Sequence, residues 1–178
     1  MSPVSTARVL ASRFATGAVG SSLVAHIRRW GMAYLLVAFA AMIFKMHFAL
    51  GLNASASLPE PVFLIHKGEL PGRGQYVAFR WPGGGPYPAG KTFVKIVAGV
   101  PGDTVSRMER EFFVNGEFVG TAKTQSRSGV ALALGPTGDL PLGRYYVRAP
   151  HPDSLDSRYL LTGWVAETQI IGRAYALF

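Results

Sequence analysis

The sequence predicts a mainly β domain that follows a single N-terminal transmembrane helix. Residues 31–52 form an apolar segment, and the remainder contains many short apolar runs. The 21 glycines and 12 prolines among 178 residues favour turns and short strands over long soluble helices. We therefore divide the chain into a cytoplasmic arm (1–30), a transmembrane helix (31–52) and a β-rich domain (53–178).

The arm and the apolar segment together predict an orientation. The arm contains four arginines and no acidic residue: Arg8, Arg13, Arg28 and Arg29. The 22 residues that follow would extend about 33 Å as a helix, which spans a bilayer. We expect Lys45 and His47 to reach toward the far interface. Because basic residues accumulate on the cytoplasmic side, the β-rich domain is expected outside the cytoplasm.

A cleavable signal peptide is the alternative interpretation of the apolar segment. Residues 53–56 (NASA) contain a small-x-small pattern that is typical of cleavage sites. The apolar run is, however, longer than the usual 7–15 residues of a signal peptide, and a long arm precedes it. We therefore favour a retained anchor, and with either interpretation the remainder is delivered outside the cytoplasm.

The β-rich domain divides into short elements. Strands are predicted in the apolar run 61–65 and in residues 75–80 and 91–100. Residues 111–119 predict a hairpin, because Asn115-Gly116 suits a type I′ turn. The other segments are a long loop or β-arm (121–141), a strand (144–148), a polar turn (151–158) and the last short strands (164–178).

Charge and cysteine content limit the function classes. The chain has no cysteine, so a disulfide or a thiolate metal site is excluded. The net charge is +8, but half of it lies in the arm, and residues 53–178 contain 13 basic and 10 acidic residues. That distribution fits a membrane orientation signal better than a nucleic-acid surface. We expect no nucleic acid, no metal and no cofactor.

A pair of serines follows the apolar segment. In an extended strand Ser55 and Ser57 lie on the same face, so one hydroxyl could attack a carbonyl while the other stabilises the oxyanion. A serine nucleophile needs a base. Lys95 lies within an apolar strand candidate, and burial lowers the pKa of a lysine from about 10.4. Lys91, four residues earlier, is the second candidate for the base.

The serine stretch and the lysine also have interpretations without a catalytic role. A Ser/Ala-rich stretch is often a plain linker, and a strand lysine often points outward at a sheet edge. A Ser/His/Asp triad would need one of four histidines, His26, His47, His66 or His151. His26 and His47 flank or lie in the apolar segment. His66 and His151 are expected to be ordinary surface histidines. No His-Glu-x-x-His pattern favours zinc.

Three segments resemble the type I signal peptidases. They are Asn53-x-Ser55-x-Ser57-x-Pro59, residues 93–103 (FVKIVAGVPGD), and residues 154–159 (SLDSRY) with the GWV and IGRA sequences that follow. The first segment is more similar to the conjugative-transfer branch, the TraF-like peptidases. The resemblance covers residues 53–178.

The resemblance implies a signal-peptidase-like β-rich fold and a role for each matched residue. Ser57 would be the nucleophile and Lys95 the general base. Ser55 and Ser57 would form the oxyanion hole, and Asp156, Arg158 and Asp103 would support the site. The chain departs from the family where Arg148-Ala149-Pro150 replaces the usual Gly-Asp-Asn.

The resemblance also implies a substrate and a location. The expected function is a serine endopeptidase that processes, or cyclises, a conjugative pilin precursor. The enzyme would be a single-pass protein of the inner membrane, with its catalytic domain in the periplasm beside type IV secretion components. One alternative is a general signal peptidase that acts on preproteins. A second is a non-enzymatic, membrane-tethered assembly factor.

Overall fold

The computed structural model describes the backbone of residues 4–53 and 57–177, and their side chains from residue 22 onward. A single helix, α1, extends over Val4–His47. Its part Ser22–His47 has 26 residues with a mean hydropathy of 1.4, which is long and apolar enough to cross a membrane. The chain divides into two compact units, Met1–Met46 and His47–Phe178.

The end of the helix differs from the predicted segment 31–52. The helix ends at His47, and residues Phe48–Leu52 form the first strand, β1. Each residue of β1 has an antiparallel partner between Val62 and His66. The five residues of β1 would also suit a membrane helix, but they form a strand because the adjacent strand provides backbone hydrogen bonds. The residues of the predicted arm from Val4 onward are helical.

The β-rich unit contains a sheet of seven antiparallel strands. The strands after β1 are β2 (Val62–Lys67), β3 (Tyr76–Arg80), β4 (Thr92–Gly99), β9 (Arg144–Arg148), β10 (Val165–Ala166) and β11 (Ile170–Ala176). A short 3₁₀ turn, Glu167–Gln169, joins the last two strands. The order across the sheet is β1-β2-β11-β3-β4-β9-β10. The predicted strand positions in this sheet are confirmed.

A smaller sheet is inserted between β4 and β9. Its order is β7-β6-β5-β8, with β5 (Thr104–Met108), β6 (Glu111–Val114), β7 (Glu117–Thr121) and β8 (Gly138–Asp139). Asn115 and Gly116 join β6 to β7 with φ angles of 50° and 81°. Both angles are positive, as a type I′ turn requires, so the predicted hairpin is confirmed.

Strand β4 shows that both faces of the large sheet are covered. Phe93 and Val97 pack in a first core, whereas Val94 and Ile96 pack in a second one, because successive side chains point to opposite faces. The buried members of the second core are Leu58, Phe63, Ile65, Ala78, Ala149 and Ala174. A third core lies on the smaller sheet. Lys95 is thus placed in the middle of a strand that is covered on both sides.

Candidate active site

Ser57 lies in a turn. The three residues before it, 54–56, lie outside the described residues, and they include Ser55, the predicted oxyanion residue. Ser57 is only 8% exposed, and Leu58 beside it packs into the second core. Asn53, which precedes this loop, stabilises it with three hydrogen bonds. Its backbone N–H donates to Pro61 O at 2.8 Å, and its side-chain amide donates to Leu58 O at 2.9 Å and Glu60 O at 3.1 Å.

Lys95 is buried in the centre of β4, with 4% of its surface exposed. Its register partner on β3 is Val77, a fully buried residue of the first core. The Lys95 Nζ atom lies 5.8 Å from the centre of the Phe93 ring and donates a hydrogen bond of 2.7 Å to Ser154 Oγ. The amine is therefore held by one hydroxyl, beside the apolar side chains of the first core.

This setting changes the pKa of Lys95. Burial disfavours the ammonium and lowers the pKa from 10.5 to about 8. The negative charge of Asp156 raises the pKa and the positive charge of Arg158 lowers it, and both effects are smaller than that of burial. A substantial fraction of the amine is then neutral near physiological pH and able to accept a proton. Lys91, the second candidate, is exposed and precedes β4, so it lacks this environment.

Ser154 is a site residue that the sequence analysis did not single out. Its side chain is buried, and its backbone N–H donates to His151 O at 3.0 Å to close a turn. It lies 59 positions from Lys95 in sequence, yet its hydroxyl accepts the amine hydrogen bond. The only sequence signal was its place at the start of the SLDSRY segment, where a serine is also an ordinary turn residue.

Asp156 and Arg158 form a buried ion pair two residues beyond Ser154. Arg158 Nε donates to Asp156 Oδ1 at 2.8 Å and its Nη2 donates to Oδ2 at 2.9 Å, a bidentate arrangement. Asp156 Oδ2 also accepts the backbone N–H of Ala149 at 3.1 Å, and Arg158 Nη1 donates to Thr121 O at 2.8 Å. The pair thereby fastens the Ser154 segment to β9 and to the smaller sheet.

The segment 151–158 was predicted as a polar turn, but its polar side chains from Ser154 to Arg158 are buried. Hydrogen bonds along β9 explain the difference. Ser157 N–H donates to Val147 O at 3.0 Å, and the Ser157 hydroxyl accepts the N–H of Val147 at 2.9 Å. A Cβ on Gly135 would come within 2.1 Å of Ser157 O, so the arm 121–141 packs directly onto this segment.

Asp103 supports the turn between β4 and β5. It is buried and pairs with Arg73, accepts the N–H of Val100 at 2.8 Å, and accepts the side-chain amide of Asn115 at 2.9 Å. These partners connect the large sheet to the hairpin of the smaller one. Asp103 therefore acts on the position of β4 rather than on the Lys95 amine.

The histidines of the β-rich unit have other partners. His66 pairs with Glu69 at 2.7 Å, and His151 Nδ1 accepts the backbone N–H of Asp153 at 3.2 Å. Among the side chains that the structure describes, in residues 22–53 and 57–177, no cluster of three His, Cys, Asp or Glu is arranged to hold a metal ion. The polar groups that act on the Lys95 amine are the Ser154 hydroxyl and the Asp156–Arg158 ion pair, which suits proton transfer to and from an amine.

Residues 23–178 match the family model described as signal peptidase, peptidase S26. A search of the curated proteins found no match. Among solved structures, the signal peptidase I of Enterococcus faecalis V583 is 25% identical, with a TM-score of 0.40 over 59% of this chain and 97% of that one. Because the family model covers most of the sequence, the chain belongs to the S26 signal peptidase family and is a serine peptidase.

Proposed function

We propose that Ser57 is the nucleophile of this peptidase and that Lys95 is its general base. The observation that carries this proposal is the buried Lys95 amine, whose pKa is lowered to about 8 and which is held by Ser154. A neutral amine accepts a proton, whereas the ammonium of an exposed lysine does not. Burial of Ser57 beside the core residue Leu58 supports a fixed position for the hydroxyl.

The first half of the reaction forms an acyl-enzyme. Ser57 Oγ attacks the scissile carbonyl carbon while its proton passes to the neutral Lys95 amine. The carbonyl oxygen becomes an oxyanion, for which the Ser57 backbone N–H and the Ser55 hydroxyl are the proposed donors. The carbon–nitrogen bond then breaks, and the leaving amine takes the proton from the Lys95 ammonium. Ser57 is left as an ester of the substrate.

The second half resolves the ester and determines the product. Water attacks the ester carbonyl, gives a proton to Lys95, and releases a carboxylic acid as Ser57 Oγ regains its proton. If a substrate amine attacks in place of water, the same proton transfers form a new peptide bond. Hydrolysis and ring closure therefore use one set of residues and differ only in which nucleophile enters.

We propose a conjugative pilin precursor as the substrate, processed outside the cytoplasm. The Asn53-x-Ser55-x-Ser57-x-Pro59 pattern, which is similar to the transfer-branch peptidases, supports this choice. The helix Ser22–His47 would anchor the enzyme in the inner membrane beside components of a type IV secretion apparatus. A general signal peptidase that removes signal peptides is the second candidate, and membership of the S26 family favours it equally.

Mass spectrometry of a co-produced pilin precursor tests this proposal. We expect a shortened pilin with the parent enzyme and only the intact precursor with Ser57→Ala. A cyclic product would be lighter than the linear one by one water molecule. Processing of ordinary preproteins with an untouched pilin would favour the general signal peptidase. Normal processing by Ser57→Ala would overturn the assignment of the nucleophile.

A further inference from the structure

Asp153, the residue before Ser154, binds two cations of the segment 121–141, which we call the β-arm. Its Oδ1 atom accepts a hydrogen bond from Lys123 Nζ, and its Oδ2 atom accepts one of 2.7 Å from Arg127 Nε. These hydrogen bonds, the Lys123 one first, lower the pKa of Asp153 to about 2, so the carboxylate is charged at neutral pH. Both of its oxygens are therefore used to join the β-arm to the residue beside Ser154.

Both cations are presented by a backbone that is fixed by other contacts. Arg110, between β5 and β6, donates a hydrogen bond to Lys123 O. The backbone N–H of Lys123 donates to Tyr159 OH at 3.1 Å. A backbone hydrogen bond of 2.8 Å closes the turn 126–130, which contains Arg127. The β-arm thus offers the carboxylate two partners whose positions are set elsewhere in the β-rich unit.

Asp153 belongs to the turn that carries the hydroxyl bound to Lys95. In this turn the backbone N–H of Ser154 donates to His151 O at 3.0 Å, and that of Asp153 donates to His151 Nδ1 at 3.2 Å. The Ser154 side chain reaches β4, where its Oγ accepts the 2.7 Å hydrogen bond from Lys95 Nζ. One peptide unit separates Asp153 from Ser154, so a restraint on the first also restrains the second.

The two sides of Ser154 are fastened differently. On the C-terminal side, the buried ion pair described above and the backbone bonds to β9 hold the segment. On the N-terminal side, Pro150 and Pro152 have no backbone N–H to donate, and Pro152 is exposed. This side of the turn therefore has fewer backbone donors, and the Asp153 carboxylate supplies a side-chain attachment in their place.

Asp153 acts on Lys95 by position rather than by charge. The charges that shift the pKa of Lys95 are those of Asp156 and Arg158. The Asp153 carboxylate is neutralised by two cations and is one-fifth exposed, so solvent and its partners weaken its field at the buried amine.

We propose that Asp153 is a positioning residue for the general base, and that its ion pairs with Lys123 and Arg127 fix the Ser154 hydroxyl against the Lys95 amine. This inference rests on the proposed function, since it takes Lys95 as the base. If the β-arm releases Asp153, the hydroxyl moves away from the amine. The ammonium then loses its acceptor, so Lys95 loses its proton at lower pH and its neutral amine is less well directed.

Activity of the full chain in detergent micelles, on a peptide with a small-x-small cleavage site, tests this inference. Asp153→Asn preserves the size of the side chain and removes its charge. We expect kcat to fall on the order of fivefold with little change in KM, and the acid limb of the pH–rate profile to move to lower pH. Asp153→Glu, which retains a carboxylate, should restore part of both.

Asp139→Asn is the matched control. Asp139 is an exposed aspartate of β8 that accepts a hydrogen bond of 2.6 Å from the Thr104 hydroxyl, so its loss should leave kcat and the profile unchanged. An equal change in Asp139→Asn would overturn the inference. A lower melting temperature of Asp153→Asn with the parent profile would show a structural role alone and would overturn it as well.

A double-mutant cycle with Ser154→Ala separates position from charge. If Asp153 acts through the Ser154 hydroxyl, Asp153→Asn should change kcat by less than about twofold once that hydroxyl is absent, and the acid limb should stay in place. A direct effect of the Asp153 charge on Lys95 would instead persist in the Ser154→Ala background. Equal shifts in the two backgrounds would therefore contradict the proposed role.

Titration of the Lys95 amine separates this inference from the proposed function. In Ser57→Ala with ¹³C-labelled lysine, the Cε chemical shifts report protonation, and the signal that Lys95→Met removes belongs to Lys95. Lys95 should titrate at lower pH with Asp153→Asn and as in the parent with Asp139→Asn, whether or not any peptide is cleaved. An unchanged titration overturns the role of Asp153 and leaves the dyad intact. Cleavage by Lys95→Met refutes the dyad, and with it the role of Asp153 in catalysis.

Discussion

The Lys95 amine illustrates how the environment of one side chain creates a base. Burial lowers the pKa of Lys95 from 10.5 to about 8, and the hydrogen bond to Ser154 Oγ fixes the direction of the amine. The charges of Asp156 and Arg158 act on this pKa in opposite directions, and each has a smaller effect than burial. The proposed mechanism therefore depends on exclusion of water from β4 more than on any neighbouring charge.

Replacing Lys95 should remove activity without removing stability. The unfolded chain binds more protons than the folded one between pH 8 and 10.5, so this lysine costs roughly 3 kcal/mol below that range, and the cost fades as the pH rises through it. Lys95→Met should be inactive and at least as stable as the parent at neutral pH. Thermal unfolding of both proteins over this pH range, beside a processing assay, checks the prediction.

The exposed Lys91 provides the control for this experiment. Lys91→Met should retain activity, because this side chain is exposed and lies outside β4. Parent activity should increase as the pH rises through about 8, where Lys95 loses its proton. Processing by Lys95→Met, or its loss in Lys91→Met alone, would show that the base is assigned wrongly.

Ser154 should affect the rate through Lys95. In Ser154→Ala the amine loses its acceptor, and we expect kcat to fall on the order of tenfold to a hundredfold with little change in KM. The hydroxyl also stabilises the ammonium, so its loss should shift the acid limb of the pH–rate profile to lower pH. Ser154→Thr, which retains a hydroxyl, should restore part of the rate.

Ser157 is the matched control, because it is a buried serine of the same segment with a different partner. Its hydroxyl accepts the N–H of Val147, so Ser157→Ala should lower the melting temperature and leave the pH–rate profile in place. If the two alanine variants have the same pH–rate profile, the role of Ser154 is structural only.

At the scale of elements, β9 and the segment 149–158 act as one unit. Val147 and Ala149 of this unit bind Ser157 and Asp156, and Arg158 connects it to Thr121 of β7. Ser154 lies in the middle of the unit and faces Lys95 on β4. These hydrogen bonds hold the segment that carries Ser154, and they therefore position the hydroxyl that accepts the hydrogen bond from Lys95.

Asp156→Asn should weaken this unit. The change leaves the buried Arg158 guanidinium without its counter-charge, which costs about 3–5 kcal/mol. Asp156 also raises the pKa of Lys95, so any residual activity should extend to lower pH. Denaturant unfolding and a pH–rate profile are the measurements.

Asp153→Asn is the comparison for this prediction. Asp153 pairs with the more exposed Lys123 and Arg127, so its loss should destabilise the protein much less than the loss of Asp156. Equal destabilisation by the two substitutions would contradict the central position that we assign to the Asp156–Arg158 pair.

At the scale of the whole molecule, a long apolar helix precedes a β-rich unit with a buried polar site. The four arginines of residues 1–30 and the absence of acids there predict that this end stays in the cytoplasm. A reporter fused after Phe178 should be active only if it works outside the cytoplasm. The same reporter fused after Arg13 should remain inside. A cytoplasm-dependent reporter that is active after Phe178 would refute the orientation.

Local patterns in the sequence determined much of this fold. Alternating or continuous apolar runs predicted β2, β3, β4 and β9, and Asn115-Gly116 predicted the hairpin, because strand period and turn chemistry depend on neighbouring residues. The apolar neighbours of Lys95 were compatible with burial or with an outward-pointing lysine, and the resemblance to the signal peptidases favoured the buried base. The sequence also marked a membrane-spanning helix, although not its end at His47.

Only the tertiary structure decided the other features of the fold and of the site, because these features depend on contacts between residues that are distant in sequence. Phe48–Leu52 became a strand once Val62–His66 offered a pairing edge. The polar segment 154–158 is buried because β9 and β7 satisfy its hydrogen bonds, which composition alone does not reveal. The acceptor of the Lys95 amine lies 59 residues away, and such a contact exists only after β4 and β9 have paired.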